Sequence, residues 1–597
     1  MAKVLDLINS VDSVNQFKDF TVGLLTSSSD LPLGEDINEI DSLIITKINS
    51  YLSKPDTRAS GLVVISKFIP RCSKEDLQKY GMLWISKAVQ VLESKCESKE
   101  FSLASRVLGE LLIEAKQVPE LQKEVSMQNV KPLVTLITSF DLETKGTAVL
   151  YPLAVLLYYY KESTEKFQKA IREFILPTVD SKKKETAKAG ANIYSLLTRA
   201  TERSFKSIEA KPAYNNWTYN LLLICNSLHE IMTTLFPDSD TSGPDEMKLE
   251  LPSLSQEDIV DYYFDLEKRF ENLCDYLSTM LRGCGEINSV IPNDILTLVC
   301  RGLDILPTTL HQEDSLVDSL LYMILPKLHI ILFQVLNAFI EGFKDNLVPF
   351  ASTVLKLYKH TLNWANGLDL ENEETIRGIK PFTNVKISVY KSLTIWLNNL
   401  STLSGIEIIS DELIPLILKD ITPEMSEISL TIQKTTATSK KGFKRTRDNQ
   451  IKNDLEQDRP RLINKCMSID LDICKEALIS LQCIFKSSGT LMKIPIYQMI
   501  EELVIAMLSN VYMDDYSFYK LRPFCHVELL RLLKIMQMNP HPLRPSSLHH
   551  CIELFSTPSH EYNRHVAAEA KEALMQLEKI AHPSALTLSL PVVNAAE

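Results

Sequence analysis

The sequence predicts an all-α protein, built as an irregular armadillo- or HEAT-like α-solenoid with disordered internal loops. Three observations support this fold class. Apolar residues make up 45% of the 597 residues, as expected of a chain that folds. Only 17 glycines occur, and period-two strand patterns bounded by turn residues are rare. Amphipathic helical patterns recur in pairs roughly every 40 residues, which is the period of HEAT and armadillo units.

The clearest helical patterns lie between residues 73 and 140. Ser73 followed by Asp76 is typical of a capping box, in which a side-chain oxygen accepts a free amide at the start of a helix. Trp84 lies on an apolar stripe at helical spacing, and Pro119 can open a later helix because a missing amide proton costs nothing there. We therefore expect a row of amphipathic helices, each covered by a neighbour.

Similar patterns predict helices before and after this stretch. Polar or proline-containing joints separate them, as expected of successive solenoid units. The helices are expected at residues 1–30, 37–52, 58–68, 147–160, 167–176, 185–201, 217–236, 259–281, 294–303, 316–343, 348–364, 386–397, 413–422, 471–485, 496–512, 518–536, 546–555 and 564–580.

One apolar run, residues 320–340, is about as long as a membrane span. Pro326, Lys327 and His329 interrupt it. A charged side chain at the centre of a bilayer costs about 2.5–3.5 kcal/mol, which argues against such a span. We therefore expect two buried helices that meet near Pro326, and a soluble chain that contacts no membrane.

Two changes in composition divide the chain. Acidic and turn-forming residues replace apolar ones after residue 236, and the apolar rhythm stops again after residue 431. The expected parts are an N-terminal helical domain (1–236), an acidic linker (237–252), a middle helical repeat region (253–431), a disordered basic loop (432–462), a C-terminal helical region (463–585) and a tail (586–597).

The chain is acidic overall, with a net charge of −12 and a sequence pI of about 5.6, so nucleic acid is not the expected partner of the whole surface. The basic loop is an exception. Its cluster of cations is a candidate nuclear import signal. Weak contact with RNA phosphates and a merely solvated loop are the two alternatives. The cluster consists of Lys440, Lys441, Lys444, Arg445 and Arg447.

The sequence lacks the motifs of common catalytic and metal sites. It has no GxxxxGK, HExxH or GxSxG pattern, and its 11 cysteines form no CxxC pair. Cysteines such as Cys225 and Cys474 lie in apolar helical patterns, so free buried thiols are expected. His549, His550 and Cys551 cannot all face one ion, because neighbours on a helix point about 100° apart. We therefore expect no catalytic residue, metal or cofactor, and no enzyme.

Three LxxLL patterns occur within predicted helices. On a helix this spacing places the leucines on one face, which suits a hydrophobic groove on a partner. A stripe that faces the core requires the same spacing, so burial is the competing interpretation. The candidate leucines are Leu108, Leu111 and Leu112, then Leu153, Leu156 and Leu157, and finally Leu529, Leu532 and Leu533.

Several segments carry a family resemblance. Trp84 is followed shortly by AVQVLE, and LGELLIEAKQVPEL and VSMQNVKPLVTLI come next. Further along stand a tryptophan-led helix at 217–236, KISVYKSLTIWL at 386–397 and LIPLILKDIT at 413–422. Over roughly residues 20–585 the chain resembles the animal proline-, glutamic acid- and leucine-rich protein family, the counterpart of the fungal Rix-type pre-rRNA-processing proteins. None of these segments is a catalytic signature.

The resemblance implies a non-catalytic scaffold of the nuclear Rix-type complex, found in the nucleolus and nucleoplasm. It implies a role in processing the second internal spacer of pre-rRNA and in maturation of the 60S subunit. The implied partners are a WD-repeat propeller protein, a testis-expressed HEAT-like protein, the AAA ATPase midasin and pre-60S particles. The resemblance also implies a homodimer, and it leaves direct contact with RNA open.

Two alternatives remain open at this stage. The first is a nuclear-receptor transcriptional coregulator, which would need at least one LxxLL triplet exposed on a free helix face. The second is a transport receptor of HEAT architecture, which would need no import signal in its loop. Family members usually carry a long proline-rich and then glutamate-rich tail, and nothing of that kind follows Pro583 here. Either the tail is absent in this lineage or the chain is incomplete, so a role carried by that tail is in doubt.

Overall fold

The computed structural model describes residues 14–27, 37–94, 97–142, 146–200, 215–237, 247–285, 289–310, 316–371, 382–423, 469–514, 517–560 and 563–581. Within these ranges every secondary-structure element is a helix, so the all-α prediction is confirmed. The chain divides into two compact units, residues 1–298 and 299–597. The boundaries expected from composition (1–236, 237–252, 253–431, 432–462, 463–585 and 586–597) stay predictions.

The first unit is built from paired helices. Its helices are α1 (Val14–Ser27), α2 (Ile37–Ser53), α3 (Arg58–Phe68), α4 (Lys74–Glu93), α5 (Ser98–Ala115), α6 (Pro119–Glu124), α7 (Val130–Thr138), α8 (Leu150–Tyr159), α9 (Lys161–Thr164), α10 (Gln168–Ile175), α11 (Lys184–Ala200), α12 (Asn216–Leu235) and α13 (Ile259–Arg282), and α14 (Pro292–Leu303) spans the boundary in sequence.

Two layers form this unit. Helices α3, α5, α8, α11 and α13 pack side by side in succession, and α4, α10 and α12 cover them. A close approach of α11 to α13 and to the turn before α11 requires a glycine at position 190, because a Cβ there would lie 2.0 Å from Thr178 Oγ1 and 2.5 Å from Tyr276 Oη. Thr178 and Tyr276 share a buried 2.5 Å hydrogen bond at this point, which ties the turn before α11 to α13.

The start of α4 confirms the capping box. The Ser73 side chain accepts a hydrogen bond from the Asp76 amide at 3.1 Å and donates one to Asp76 Oδ2 at 2.7 Å. Further along α4, Trp84 is buried, and its ring nitrogen donates to Asn49 Oδ1 on α2 at 2.8 Å. A buried indole that keeps its hydrogen bond contributes its full apolar area without an unsatisfied donor.

The second unit repeats the same scheme. Helices α15, α17, α19, α22 and α24 pack in succession, and α16, α18, α20 and α23 lie against them. Its helices are α15 (Leu316–Phe343), α16 (Ala351–Glu371), α17 (Thr383–Leu400), α18 (Ile406–Ile421), α19 (Leu471–Ser488), α20 (Ile494–Met513), α21 (Phe518–Leu521), α22 (Pro523–Met538), α23 (Leu548–Ser556) and α24 (Arg564–Ala581).

The long apolar run is one helix, so the expectation of two helices meeting near Pro326 is wrong. Helix α15 continues through Pro326, which is buried in its interior. A proline inside a helix costs about 3 kcal/mol through a lost hydrogen bond and a clash. Leu325, Leu328 and Leu332 are among the many side chains buried around it, and this packing outweighs that cost.

Two stretches of the described residues are long and apolar enough to cross a bilayer, Leu316–Gly367 and Ile494–Met513. In their most apolar windows, 72% and 39% of the residues are buried within the protein. Core helices commonly have the same length and composition, and α15 is one of them.

Candidate functional site

A segment without regular structure, residues 247–258, lies along α12 and α13 and covers a cavity. The cavity volume is about 580 Å³, within the size range of ligand pockets. Its walls combine apolar and polar side chains. Representative lining residues are Ile231, Thr234, Leu249, Leu251, Tyr262 and Leu266.

Side chains of α12 hold this segment in place. Asn226 Nδ2 donates to the Met247 carbonyl at 2.8 Å, and the Leu249 amide donates to Ser227 Oγ at 3.0 Å. Lys248 Nζ lies 2.5 Å from Glu230 Oε1 at the surface. Helix side chains thus replace the backbone partners that a loop lacks, which satisfies the polar groups of a partly buried segment.

Arg269 of α13 fixes the other end of the segment. Its guanidinium donates to both carboxylate oxygens of Asp180, at 2.6 and 2.7 Å, and to the Pro252 carbonyl at 2.6 Å. Such a two-point pair sets geometry as well as charge. Because Asp180 neutralises the buried guanidinium, Arg269 acts as a clamp on the segment.

The structure places all nine leucines of the LxxLL triplets in the core. The triplets lie on α5, α8 and α22, and each leucine is at most 1% exposed. A partner groove could reach them only if these helices left their layers. The exposed triplet that receptor docking requires is therefore missing from the described fold, and receptor binding stays an untested prediction. The residues are Leu108, Leu111, Leu112, Leu153, Leu156, Leu157, Leu529, Leu532 and Leu533.

The candidate import signal, Lys440 to Arg447, lies outside the described residues and stays a prediction. A smaller basic group, at residues 182–184, is described at the start of α11. Lys182 Nζ lies 4.0 Å from Asp265 Oδ1, and Lys184 Nζ lies 3.4 Å from Glu271 Oε1. These are exposed pairs at a helix start, and such pairs contribute little to stability.

The described cysteines are all free thiols, and Cys225, Cys274 and Cys551 are among the buried ones. Burial raises the pKa of Cys551 to about 11, so the protonated and unreactive form dominates near neutral pH. His549 and His550 are exposed while Cys551 is buried, so the three side chains diverge. In the described part of the chain, no three histidine, cysteine or acidic side chains form a group that could hold a metal ion.

The sequence did not reveal two buried polar clusters in the second unit. Lys386 Nζ on α17 lies 2.9 Å from Asp420 Oδ1 on α18, and Tyr390 donates to Asp420 Oδ2 at 2.6 Å. Burial, and then the charge of Asp420, raise the pKa of Tyr390 well above its usual range. The one signal in the sequence was a lysine within an apolar helical stripe, four residues before a tyrosine.

The second cluster joins the last helix to its neighbour. Glu569 of α24 accepts hydrogen bonds from Arg531 Nε at 2.8 Å and from Lys534 Nζ at 2.6 Å on α22. Burial alone would raise the pKa of Glu569, but the bonds from Lys534 and Arg531 lower it below its usual value. Both clusters join neighbouring helices of the second unit, and none of their residues lines the cavity.

Comparison with known proteins shows which proteins this chain is similar to. Residues 13–186 match the RIX1 family, described as rRNA processing/ribosome biogenesis. Proline-, glutamic acid- and leucine-rich protein 1 of Xenopus laevis is 24% identical over 583 residues, which cover 94% of this chain and 55% of that protein. The Mus musculus protein of the same name is 25% identical over 559 residues, which cover 90% and 48%. The chain thus spans about half the length of the curated relatives it matches.

A solved structure shares the fold. A chain of the Rix1 subcomplex in a Rix1–Rea1 pre-60S particle is 14% identical, with a TM-score of 0.57 and coverage of 99% of both chains. This likeness supports the irregular solenoid. The family resemblance seen in the sequence is confirmed: the chain is similar over most of its length to proline-, glutamic acid- and leucine-rich protein 1, and residues 13–186 match the RIX1 family, described as rRNA processing/ribosome biogenesis.

Proposed function

We propose that this protein is a non-catalytic scaffold subunit of a nuclear Rix-type complex. In this role it supports processing of the second internal spacer of pre-rRNA and maturation of the 60S subunit. The observation that carries the proposal is the RIX1 match over residues 13–186, whose description names rRNA processing and ribosome biogenesis. The similarity to proline-, glutamic acid- and leucine-rich protein 1 extends the likeness to the rest of the chain.

The proposed partners follow from the resemblance. A chain of similar fold is part of a Rix1–Rea1 pre-60S particle, which supports association with midasin, the AAA ATPase, and with pre-60S particles. We include a WD-repeat propeller protein, a testis-expressed HEAT-like protein and a second copy of the chain as further partners. The proposed location is the nucleolus and nucleoplasm, reached through the cations at 440–447.

The structure suits a scaffold. Two-layered solenoids present long surfaces to other proteins and hold several partners at once.

Affinity purification tests the proposal. The full chain would be tagged, expressed in cells and purified from nuclear extract, and co-purifying proteins would be identified by mass spectrometry. We expect large-subunit assembly factors, a WD-repeat propeller protein and a midasin-type ATPase. A variant with Leu108, Leu111 and Leu112 changed to aspartate, which breaks the core of the first unit, serves as the control and should lose them. Recovery of receptors and chromatin factors without ribosome-assembly proteins would contradict the proposal.

A further inference from the structure

The segment that covers the cavity alternates between exposed and sheltered side chains. Leu249 is buried, whereas Lys248 and Glu250 on either side of it are exposed. Successive side chains of an extended chain point to opposite faces, so Leu249 faces the helices while its two neighbours face solvent. Hydrogen bonds with Ser227 and Arg269 hold both ends of this stretch. The wall of the cavity is therefore held in place, which lowers the conformational entropy that a ligand must offset.

Glu250 projects from this wall at the apex of a tight turn. The Leu251 amide donates to the Leu249 carbonyl at 3.0 Å, and this bond between residues two apart closes a three-residue turn around Glu250. Within the part of the chain that the structure describes, the amide, carbonyl and carboxylate of Glu250 bond to no other protein group. All three groups therefore remain open to solvent or to a second chain.

The charged residues of the lining leave one carboxylate without a counter-ion. Glu230, Lys248, Glu250 and Arg269 line the cavity. Lys248 Nζ lies 2.5 Å from Glu230 Oε1, and Asp180 neutralises the charge of Arg269. Among the described residues only Glu250 of these four has no ion pair. The lining therefore favours a ligand that brings a cation.

Apolar side chains from three elements complete the lining. Helix α12, helix α13 and the covering segment each contribute at least one of them, so an inserted side chain would meet apolar surface from more than one element. Transfer of apolar surface out of water favours such insertion. A ligand that joins a bulky apolar group to a cation therefore matches both parts of the lining. The apolar residues are Ile231, Leu249, Leu251, Leu254, Tyr262 and Leu266.

We propose that this cavity binds a short peptide segment of a partner protein, in which a bulky apolar residue precedes a lysine or arginine. The apolar side chain enters the cavity, the cation pairs with the Glu250 carboxylate, and the peptide main chain bonds to the open amide and carbonyl of Glu250. Main-chain pairing with an extended segment, together with a pocket for a side chain, is a recurring mode of peptide recognition. The inference goes beyond the proposed function and does not depend on it, since it stands on contacts within the first unit.

Fluorescence anisotropy with the full chain and labelled hexapeptides tests this inference. The probe is a fluorescein-labelled peptide of sequence GSLRSG. Two comparison peptides carry the same label: GSLESG reverses the charge, and GSGRSG removes the apolar side chain. Unlabelled butylguanidinium, a small organic cation with an apolar body and no peptide backbone, would be tested as a competitor of the probe.

Two pairs of variants separate the cavity from its surroundings. Thr234 is exposed and lines the cavity, so Thr234→Trp places an indole there, and Thr233→Trp is the matched control at the adjacent exposed residue outside the lining. Glu250→Lys reverses the open carboxylate. Its control is Glu257→Lys, an exposed residue of the same segment that does not line the cavity. Circular dichroism would verify that each variant is folded.

We expect the unaltered chain to bind GSLRSG with a dissociation constant below about 1 mM. Thr234→Trp should weaken binding at least about tenfold, because the indole takes the space of the leucine side chain. Glu250→Lys should weaken it about fivefold or more, and this variant should bind GSLESG more tightly than the unaltered chain does. Thr233→Trp and Glu257→Lys should bind GSLRSG within about twofold of the unaltered chain.

Three outcomes would overturn the inference. The first is no saturable binding of GSLRSG up to about 5 mM, or equally tight binding of GSGRSG. The second is equal binding by a test variant and its matched control. The third is displacement of the probe by butylguanidinium at the affinity of the peptide itself, which would assign the cavity to a small organic cation. None of these outcomes involves co-purification with pre-60S factors, so this inference and the proposed function fail separately.

Discussion

Arg269 and Asp180 lie 89 residues apart and form a two-point ion pair, with Nε–Oδ1 at 2.6 Å and Nη2–Oδ2 at 2.7 Å. The same guanidinium holds the Pro252 carbonyl. One side chain therefore connects α13, the turn before α11 and the segment that covers the cavity. The fold of this region depends on a contact between distant parts of the chain.

Replacing Arg269 by alanine should lower the free energy of unfolding by about 3 kcal/mol, because Asp180 is left without its buried partner. Urea unfolding followed by circular dichroism would measure the change. Lys169→Ala is the control, since Lys169 lies 3.9 Å from Glu173 with 92% of its side chain exposed. That variant should stay within about 0.5 kcal/mol of the unaltered chain. Equal changes in the free energy of unfolding for the two substitutions would show that the contacts of Arg269 do not stabilise the fold.

Replacing Trp84 by alanine should cost about 3–5 kcal/mol, since the indole is 1% exposed and its removal leaves a large cavity and an unpaired Asn49 amide oxygen. Leu83, the preceding residue, is 44% exposed and provides the control. Thermal unfolding of Trp84→Ala and Leu83→Ala compares the two positions directly. A loss below about 1 kcal/mol for Trp84→Ala would be incompatible with a core position.

Acid should destabilise the second unit through His329. Burial lowers the pKa of this histidine to about 4, from an ordinary value of 6.5. A depressed pKa in the folded state means that the unfolded chain binds the proton more tightly. The stabilising contribution of neutral His329 is therefore fully present above about pH 6.5 and is lost as the pH falls toward 4. Between pH 7.5 and pH 5 the contribution of His329 to this loss should be about 2 kcal/mol.

Urea midpoints at these two pH values would measure this loss, and His329→Leu should reduce it because leucine does not titrate. His526 retains a similar contribution in that variant, since burial also lowers its pKa to about 4. An identical pH dependence in the unaltered chain and the His329→Leu variant would contradict the assignment.

Replacing Leu111 by alanine should cost about 2–5 kcal/mol, because this leucine of the first LxxLL triplet is fully buried. Ile113→Ala, at a half-buried position on the same helix, should cost less. Differential scanning calorimetry would compare their melting temperatures. A Leu111→Ala protein that melts like the unaltered chain, yet fails to bind a receptor domain that the unaltered chain binds, would favour the coregulator alternative.

Local patterns account for much of what the sequence predicts. The Ser73–Asp76 cap and the Trp84 stripe depend on residues within a few turns, so the sequence reveals them directly. The sequence predicts a helix boundary at Pro326, because proline disfavours the interior of a helix. Packing of α15 on both sides of this residue outweighs that local preference. No sequence pattern shows which of these two effects on the helix is larger.

The candidate site was less predictable than the fold, because the segment that lines the cavity falls partly in the expected acidic linker at 237–252 and is held by Arg269 and Asp180, which are 89 residues apart. Other placements were equally hidden in the sequence. The tyrosines of α8 look like core residues in a sequence as apolar as LYPLAVLLYY, and only the packed layers show which two rings face outward. Asp420 and Lys386 are 34 residues apart, and their pairing depends on the relative position of α17 and α18. Periodicity identifies which residues share a helix face, but it does not identify the neighbour that each face meets.

We propose that this protein acts in maturation of the large ribosomal subunit. The most direct test is to deplete it from cells and probe pre-rRNA by northern hybridisation to the second internal spacer. Re-expression of the unaltered chain serves as the rescue control. We expect precursors that retain this spacer to accumulate on depletion and to disappear on re-expression. An unchanged pattern of spacer-containing precursors and an unchanged 60S level after complete depletion would contradict a role in maturation of the large subunit.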